Sequence, residues 1–365
     1  MKVRYDMVVV GGGPVGCYAA QSTPSGFDVL LIEEHRTQPV HCAGIISISG
    51  LEKLGIKPKG SVLNRVCGAK LYSPSGIELT IHPKKPKAYV VDRARFDQEI
   101  FEKALSRGVS VEWGRIDRID HNTLHTKGKS FEAEKIVLAT GVDYSLQRKL
   151  NISRPREFLV GAQYELKVEC LTDMVELYFN LPDFFTWIIP VGDYCRVGMA
   201  SKDNPTPHLD SFVKKLGRDG RLKNEKILNQ TYGVIPIYDP KIRASHENIA
   251  LVGDAAGQVK ATTGGGIVTG CLAAQHVWRD DYEQRWRMEI GRALKKHLLI
   301  HRFISKLSPQ GRDRFFRMIA DYTSLIEEKG DMDYPSPLMG AFAKNPGFLG
   351  RALLNMPHFL WDLLH

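Results

Sequence analysis

The sequence predicts a mixed α/β (α+β) chain in three parts: a parallel-sheet domain, an antiparallel sheet inserted into it, and a helical C-terminal region. Three observations point to this. The chain opens on a strand, a glycine turn, a helix and a second strand ending in an acid. From about Phe158 the apolar runs become short and alternating, with turn residues between them. From Asp281 onward the spacing is helical and the charge basic. The expected division is residues 1–65, 92–150 and 246–280 for the first domain, 66–91 and 151–245 for the inserted sheet, and 281–365 for the helical region.

In the first domain, Tyr5 to Val10 is an apolar strand of the kind buried on both faces. Gly11-Gly12-Gly13-Pro14-Val15-Gly16 follows, then a helix from Cys17 that Pro24 ends early. Asp28 to Ile32 is the next strand, with Glu33 and Glu34 at its end. Strand, G-x-G-x-x-G, helix, strand and acid together form the dinucleotide fingerprint. The helix N-terminus takes the pyrophosphate and the carboxylate takes ribose hydroxyls. This predicts a Rossmann-like domain with Gly11, Gly13, Pro14, Val15, Gly16, Glu33 and Glu34 on the cofactor.

His41-Cys42-Ala43-Gly44 places a thiol shortly after the ribose acid; the plainer reading is a small buried hydrophobe in a turn. Lys70 to His82 and Lys87 to Val91 read as two strands of one antiparallel layer. A helix opens at Asp92-Arg93-Ala94-Arg95-Phe96-Asp97, where Arg93 can reach the cofactor or simply be solvated. Val109 to Trp113 is a strand, Arg115 to Phe131 a small meander, and Lys135 to Ala139 a separate buried strand ending in Ala139-Thr140-Gly141.

The inserted sheet is expected over Val160 to Val168, Met174 to Phe179, Phe185 to Pro190 and Cys195 to Ala200. A helix follows at Leu209 to Leu216 and a last strand at Gln230 to Ile237. The aromatics around Pro182 to Pro190 either wall an apolar pocket or form an ordinary core. The chain then re-enters the first domain through Asn248 to Val252 and a glycine-dense stretch, Gly253 to Ile267. Glycine density lets backbone approach a ligand, and a helix start offers free N–H groups to an anion.

Composition sets the outer bounds. The 365 residues are 43% hydrophobic, enough for a large core. The net charge of +9 favours an anionic partner, yet no nucleic-acid module accompanies it, so no nucleic acid is expected. Six scattered cysteines form no CxxC pair, so a disulfide framework or metal site is not expected and a reducing cytoplasm is. The N-terminus enters a strand directly, without a signal peptide, and no apolar run reaches bilayer-spanning length. The apolar tail from Phe348 to Leu364 either caps the core or touches a membrane peripherally.

Three separated motifs resemble the FAD-dependent oxidoreductases of the para-hydroxybenzoate hydroxylase fold: Gly11 to Gly16 with Glu33, Arg93 to Asp97, and Gly253-Asp254-Ala255-Ala256-Gly257. Within that group the chain is most similar to the archaeal geranylgeranyl reductase family, through Cys42-Ala43-Gly44 and Thr263 to Ile267. That family's P-x-x-Y-x-W-x-F-P pattern stands here as Pro182, Phe185, Trp187, Ile189 and Pro190. Phe185 and Ile189 depart from it, and Lys260-Ala261 stand where the family often has Asn-Pro.

The resemblance implies bound FAD and saturation of isoprenoid double bonds in archaeal membrane lipids. It places Ala43, Gly44, Arg93, Ala139, Thr140, Gly141, Gly253, Asp254, Gly266 and Ile267 on the cofactor. Cys42, Gly264 and Gly265 would be catalytic as well as cofactor contacts. Phe185, Trp187, Ile189 and Pro190 would line the substrate pocket. With a single dinucleotide motif, the reductant (NAD(P)H, ferredoxin or a deazaflavin) must visit transiently. The rival readings are a flavin monooxygenase or halogenase on the same fold, and a non-catalytic binder of flavin and prenyl lipid.

Overall fold

A computed structural model describes residues 3–36 and 41–364. The chain opens on β1 (Val3–Val10), α1 (Pro14–Gln21) and β2 (Val29–Glu33), the last buried along its whole length. Helix α1 is capped at Ser22, short of Pro24, which cannot continue an α-helical ladder. An excursion follows through β3 (Ile45–Ser47), α2 (Ile48–Lys53), β4 (Val62–Val66), β5 (Gly68–Tyr72), β6 (Glu78–Ile81) and β7 (Ala88–Val91). Helix α3 (Arg93–Ser106) then starts where the Asp92 carboxylate accepts from the Arg95 N–H. The chain returns through β8 (Ser110–Trp113), β9 (Ile116–Asp120), β10 (Thr123–Thr126) and β11 (Lys129–Leu138), followed by the short α4 (Ser145–Lys149).

The second half begins with β12 (Phe158–Leu166), β13 (Met174–Tyr178), β14 (Thr186–Pro190) and β15 (Cys195–Ser201). After α5 (Thr206–Arg218) come β16 (Asn229–Pro236), β17 (Ser245–His246) and β18 (Ile249–Leu251). Helix α6 (Ile267–Ala274) follows the glycine stretch. The C-terminal region is helical: α7 (Tyr282–Trp286), α8 (Arg292–Lys306), α9 (Pro309–Ile319), α10 (Thr323–Lys329), α11 (Ser336–Ala343) and α12 (Pro346–Leu364). Pro335 and Pro337 open α11 rather than interrupting a helix, because the first turn needs no N–H from them.

The main sheet has eight strands, in the order β17-β18-β11-β1-β2-β8, with β10 paired to β11 and β9 to β10. β18, β11, β1, β2 and β8 run parallel. The chain winds away from β1 on both sides, so a crevice opens at the carboxyl ends of β1 and β11, where open α/β sheets take their ligands. β11 is one strand of ten residues, where a meander and a separate strand were expected. Its first half pairs antiparallel with β10 and its second half parallel with β18.

The second sheet has seven strands, β16-β12-β15-β14-β13-β5-β6. Here the expectation for Lys70 to His82 fails: the segment is a hairpin of two strands, folded at Ser73 to Gly76, where the Gly76 N–H donates to the Ser73 carbonyl at 3.0 Å. β7 does not join that layer. It pairs with β3 and β4 in a three-stranded sheet, which unites residues from both sides of the expected boundary at 65/66. The reason is local, since β7 runs directly into α3 and must stay beside the main sheet.

Candidate active site

The segments meet in one cleft of 840 Å³, within the range of cofactor and ligand sites. Its first wall is the β1–α1 turn. Gly11 has φ +107°, and a Cβ there would collide with the Ala139 carbonyl, so only glycine lets the turn pass β11. A Cβ on Gly16 would collide with the Gly11 carbonyl, and α1 lies correspondingly close. Gly13 caps α1 with no side-chain hydrogen bond and Pro14 occupies its first turn, leaving amides there for an outside acceptor. Gly11, Gly13, Pro14, Val15 and Gly16 all line the cleft, as do Ala139, Thr140 and Gly141 opposite.

Glu33, only 7% exposed, accepts from the Gly12 N–H at 2.5 Å and the His35 N–H at 2.7 Å. The acid therefore braces the glycine loop as well as facing the cleft. Its neighbour Glu34 is paired with Arg115 at 3.1 Å, and Arg115 also reaches Asp143 at 2.9 Å.

The second wall is the Cys42 turn with α3. The Cys42 sulfur accepts from the Gly44 N–H at 3.3 Å and lines the cleft. Arg93 grips Asp97 through two bonds of 3.0 Å. Burial alone would lower the Arg93 pKa, but Cys42 and Asp97 more than reverse it, so the guanidinium stays charged beside the thiol. Ala43 and Gly44 depart from the expectation: neither lines the cleft. The Ala43 carbonyl accepts from Arg196 at 2.9 Å and the Gly44 carbonyl accepts from the Val91 N–H at 2.8 Å, so their backbone is committed to holding the turn.

The third wall is the Gly253–Ile267 stretch. Asp254, Gly253, Gly264, Gly265, Gly266 and Ile267 all line the cleft. A Cβ on Gly266 would come within 2.7 Å of the Asp254 carboxylate, so glycine there lets the acid sit under the start of α6. Burial pushes the Asp254 pKa up to about 6, against the pull of Arg93.

The wall facing these glycines was not foreseen. It is the outer part of the second sheet: Val160 on β12 and Tyr232, Gly233, Val234, Ile235 and Pro236 on β16. The expected pocket residues Phe185, Trp187, Ile189 and Pro190 lie off the cleft. β14 is an interior strand between β13 and β15 and is buried throughout. Phe185 packs on Phe179, Phe184 and Trp187, and the Trp187 N–H donates to Gln163 at 3.0 Å. Arg196, also unforeseen, and Lys260, which the sequence marked only as a departure from the resembled family, are 8% and 4% exposed. Arg196 binds the Ala43 and Val91 carbonyls and Glu165; a lone arginine in a strand gives no sequence sign of this.

A glycine cradle at the switch point of a parallel sheet, closed by an acid and a second glycine loop, defines a dinucleotide-cofactor oxidoreductase. A family profile described as glucose inhibited division protein A matches residues 6–192. An uncharacterized protein of Methanocaldococcus jannaschii is 32% identical, covering 92% of this chain and 93% of its own. A digeranylgeranylglycerophospholipid reductase of the same organism is 29% identical, covering 89% and 93%. A geranylgeranyl bacteriochlorophyll reductase-like protein of Thermoplasma acidophilum superposes with a TM-score of 0.78 at 21% identity, covering 98% and 100%. The chain belongs to the glucose inhibited division protein A family of FAD-binding proteins and is similar along most of its length to archaeal proteins named digeranylgeranylglycerophospholipid reductase.

Proposed function

We propose that the protein is an FAD-dependent reductase that saturates isoprenoid double bonds, with geranylgeranyl chains of archaeal membrane lipids or their precursors as substrate. The observation that supports it most is the cleft itself, where a dinucleotide cradle meets an apolar wall across a thiol. The reductase activity for which similar archaeal proteins are named favours the same chemistry over oxygenation or halogenation.

The residues fit FAD. Glycine at 11 and 16 lets the loop pack tightly against β11 and α1 while still lining the cleft, and the uncapped first turn of α1 suits a pyrophosphate. Gly11 to Gly16 would hold the phosphates, Glu33 the ribose, and Asp254 the far side of the linker. Bound there, FAD supplies a hydride-donating centre. The N–H groups of Gly266 and Ile267 would meet negative charge at its ring system, the Gly264 N–H being given to the Lys260 carbonyl. Val160, Val234, Ile235 and Pro236 would keep water out and seat the isoprenoid chain, since an unactivated alkene depends on positioning in a dry site. Cys42, charged Arg93 beside it, would stand at the reacting edge.

An external donor would visit transiently. Among the described residues no helix is long and apolar enough to cross a membrane. Peripheral contact is supported by α12, where Leu353, Leu354 and Leu364 are 68%, 78% and 78% exposed while Phe359 is buried.

The deciding experiment incubates dithionite-reduced holoprotein anaerobically with geranylgeranyl lipids and follows mass. Two hydrogens gained per saturated bond are expected. Activity that requires oxygen, or unchanged lipid beside reducible bound FAD, rejects the reductase.

A further inference from the structure

The glycine wall of the cleft is backed by a buried ion pair. Lys260 lines the cleft, and its ammonium donates to Asp333 Oδ1 at 2.5 Å and to the Met332 carbonyl at 3.1 Å. Asp333 is 1% exposed, does not line the cleft, and accepts on its other oxygen from the Ser47 hydroxyl. The pair is thus oriented, cation toward the cleft and anion behind it.

The loop is wrapped around this cation. The Lys260 N–H donates to the Gly265 carbonyl at 3.1 Å, and the Gly264 N–H donates to the Lys260 carbonyl at 2.8 Å. A Cβ on Gly265 would stand 3.3 Å from the lysine Nζ, so the charge lies directly under the glycines. His297 adds no second charge, because burial lowers its pKa to about 4; with Nε2–H donated to the Asp333 carbonyl at 3.1 Å, neutral Nδ1 accepts from the Thr262 hydroxyl at 2.6 Å.

Buried ion pairs contribute little net stability compared with apolar residues of equal volume, so the fold alone gives weak reason for one here. A full charge in a low-dielectric wall acts strongly on any charge forming in front of it. We propose that Lys260 is a fixed positive charge that stabilises the negative charge a flavin ring takes up on reduction, with Asp333 as its positioning residue. This rests on the reading that FAD binds with its ring system beside Gly264 to Gly266. It assigns to this chain a side-chain cation, with its counter-ion behind it, where backbone dipoles alone would otherwise serve, and an external donor would then meet a cofactor poised at higher potential.

The test is the midpoint potential of FAD bound to the holoprotein, measured anaerobically by dye equilibration. Replacing Lys260 alone strands a buried carboxylate, so the informative variant is Lys260→Met with Asp333→Asn. We expect it to weaken binding of reduced FAD relative to oxidised FAD about tenfold, a potential lower by about 30 mV for a two-electron couple. Lys260→Arg should stay close to wild type. An unchanged potential in the double variant, or an Arg variant that falls as far, overturns the proposal while leaving the cofactor site intact. Wild-type protein that retains no FAD overturns the underlying reading and this proposal with it.

Discussion

Cys42 lines the cleft because of its neighbours. Gly44 has φ +74°, and a Cβ there would collide with Arg196 and stand 2.7 Å from the Val91 carbonyl. Gly44→Ala should therefore lose about 1–3 kcal/mol of stability in denaturant unfolding, since both strain and collision oppose it. Cys42→Ala adds no volume and should keep bound FAD while losing most alkene reduction; unchanged turnover removes the thiol from the chemistry. Glu33→Ala should release FAD more readily in dialysis. It should also destabilise the apoprotein by roughly 1–3 kcal/mol, because the Gly12 and His35 amides lose their acceptor. Cofactor retention equal to wild type would mean that the acid serves the loop alone.

Among elements, the link between α8 and the segment before α11 has its own pH signature. Burial lowers the His297 pKa from 6.5 to about 4. Between those values the unfolded chain binds the extra proton, so this contribution is complete above about pH 6.5 and lost as pH falls toward 4, up to about 3 kcal/mol. Asp254, raised to about 6, acts in the opposite sense, losing stability as pH rises through the same range. The measurement is therefore the difference in unfolding free energy between wild type and His297→Gln, which should shrink as pH drops below 6.5. A difference independent of pH would show that His297 is not the titrating group. Much at this scale was legible in the sequence. The β1–α1–β2 fingerprint lies within 33 residues, and its glycines and acid have one physical purpose. What stayed hidden joins distant segments: Arg196 to Ala43, Lys260 to Asp333, and β16 to the glycine loop. Such pairings follow from sheet order, which no local pattern records. The β14 aromatics misled for the same reason, since their chemistry suits a pocket wall or a core and only the flanking strands decide.

For the whole molecule, the proposed peripheral contact through the exposed face of α12 is tested with anionic vesicles. Leu353→Gln, Leu354→Gln and Leu364→Gln together should reduce co-sedimentation with anionic vesicles without changing activity on detergent-dispersed lipid. Co-sedimentation equal to wild type would assign the face to something other than a bilayer. The interleaving of the two large sheets has a consequence for how the chain is made. β5 and β6 must wait for β13, more than ninety positions later, and β1 and β11 for β18. Neither sheet can close before roughly two thirds of the polypeptide has left the ribosome, and such delayed pairing slows folding and exposes strand edges meanwhile. A fragment ending at residue 192 would span the whole matched segment yet lack strands of both sheets, and should behave as an aggregation-prone intermediate rather than a domain.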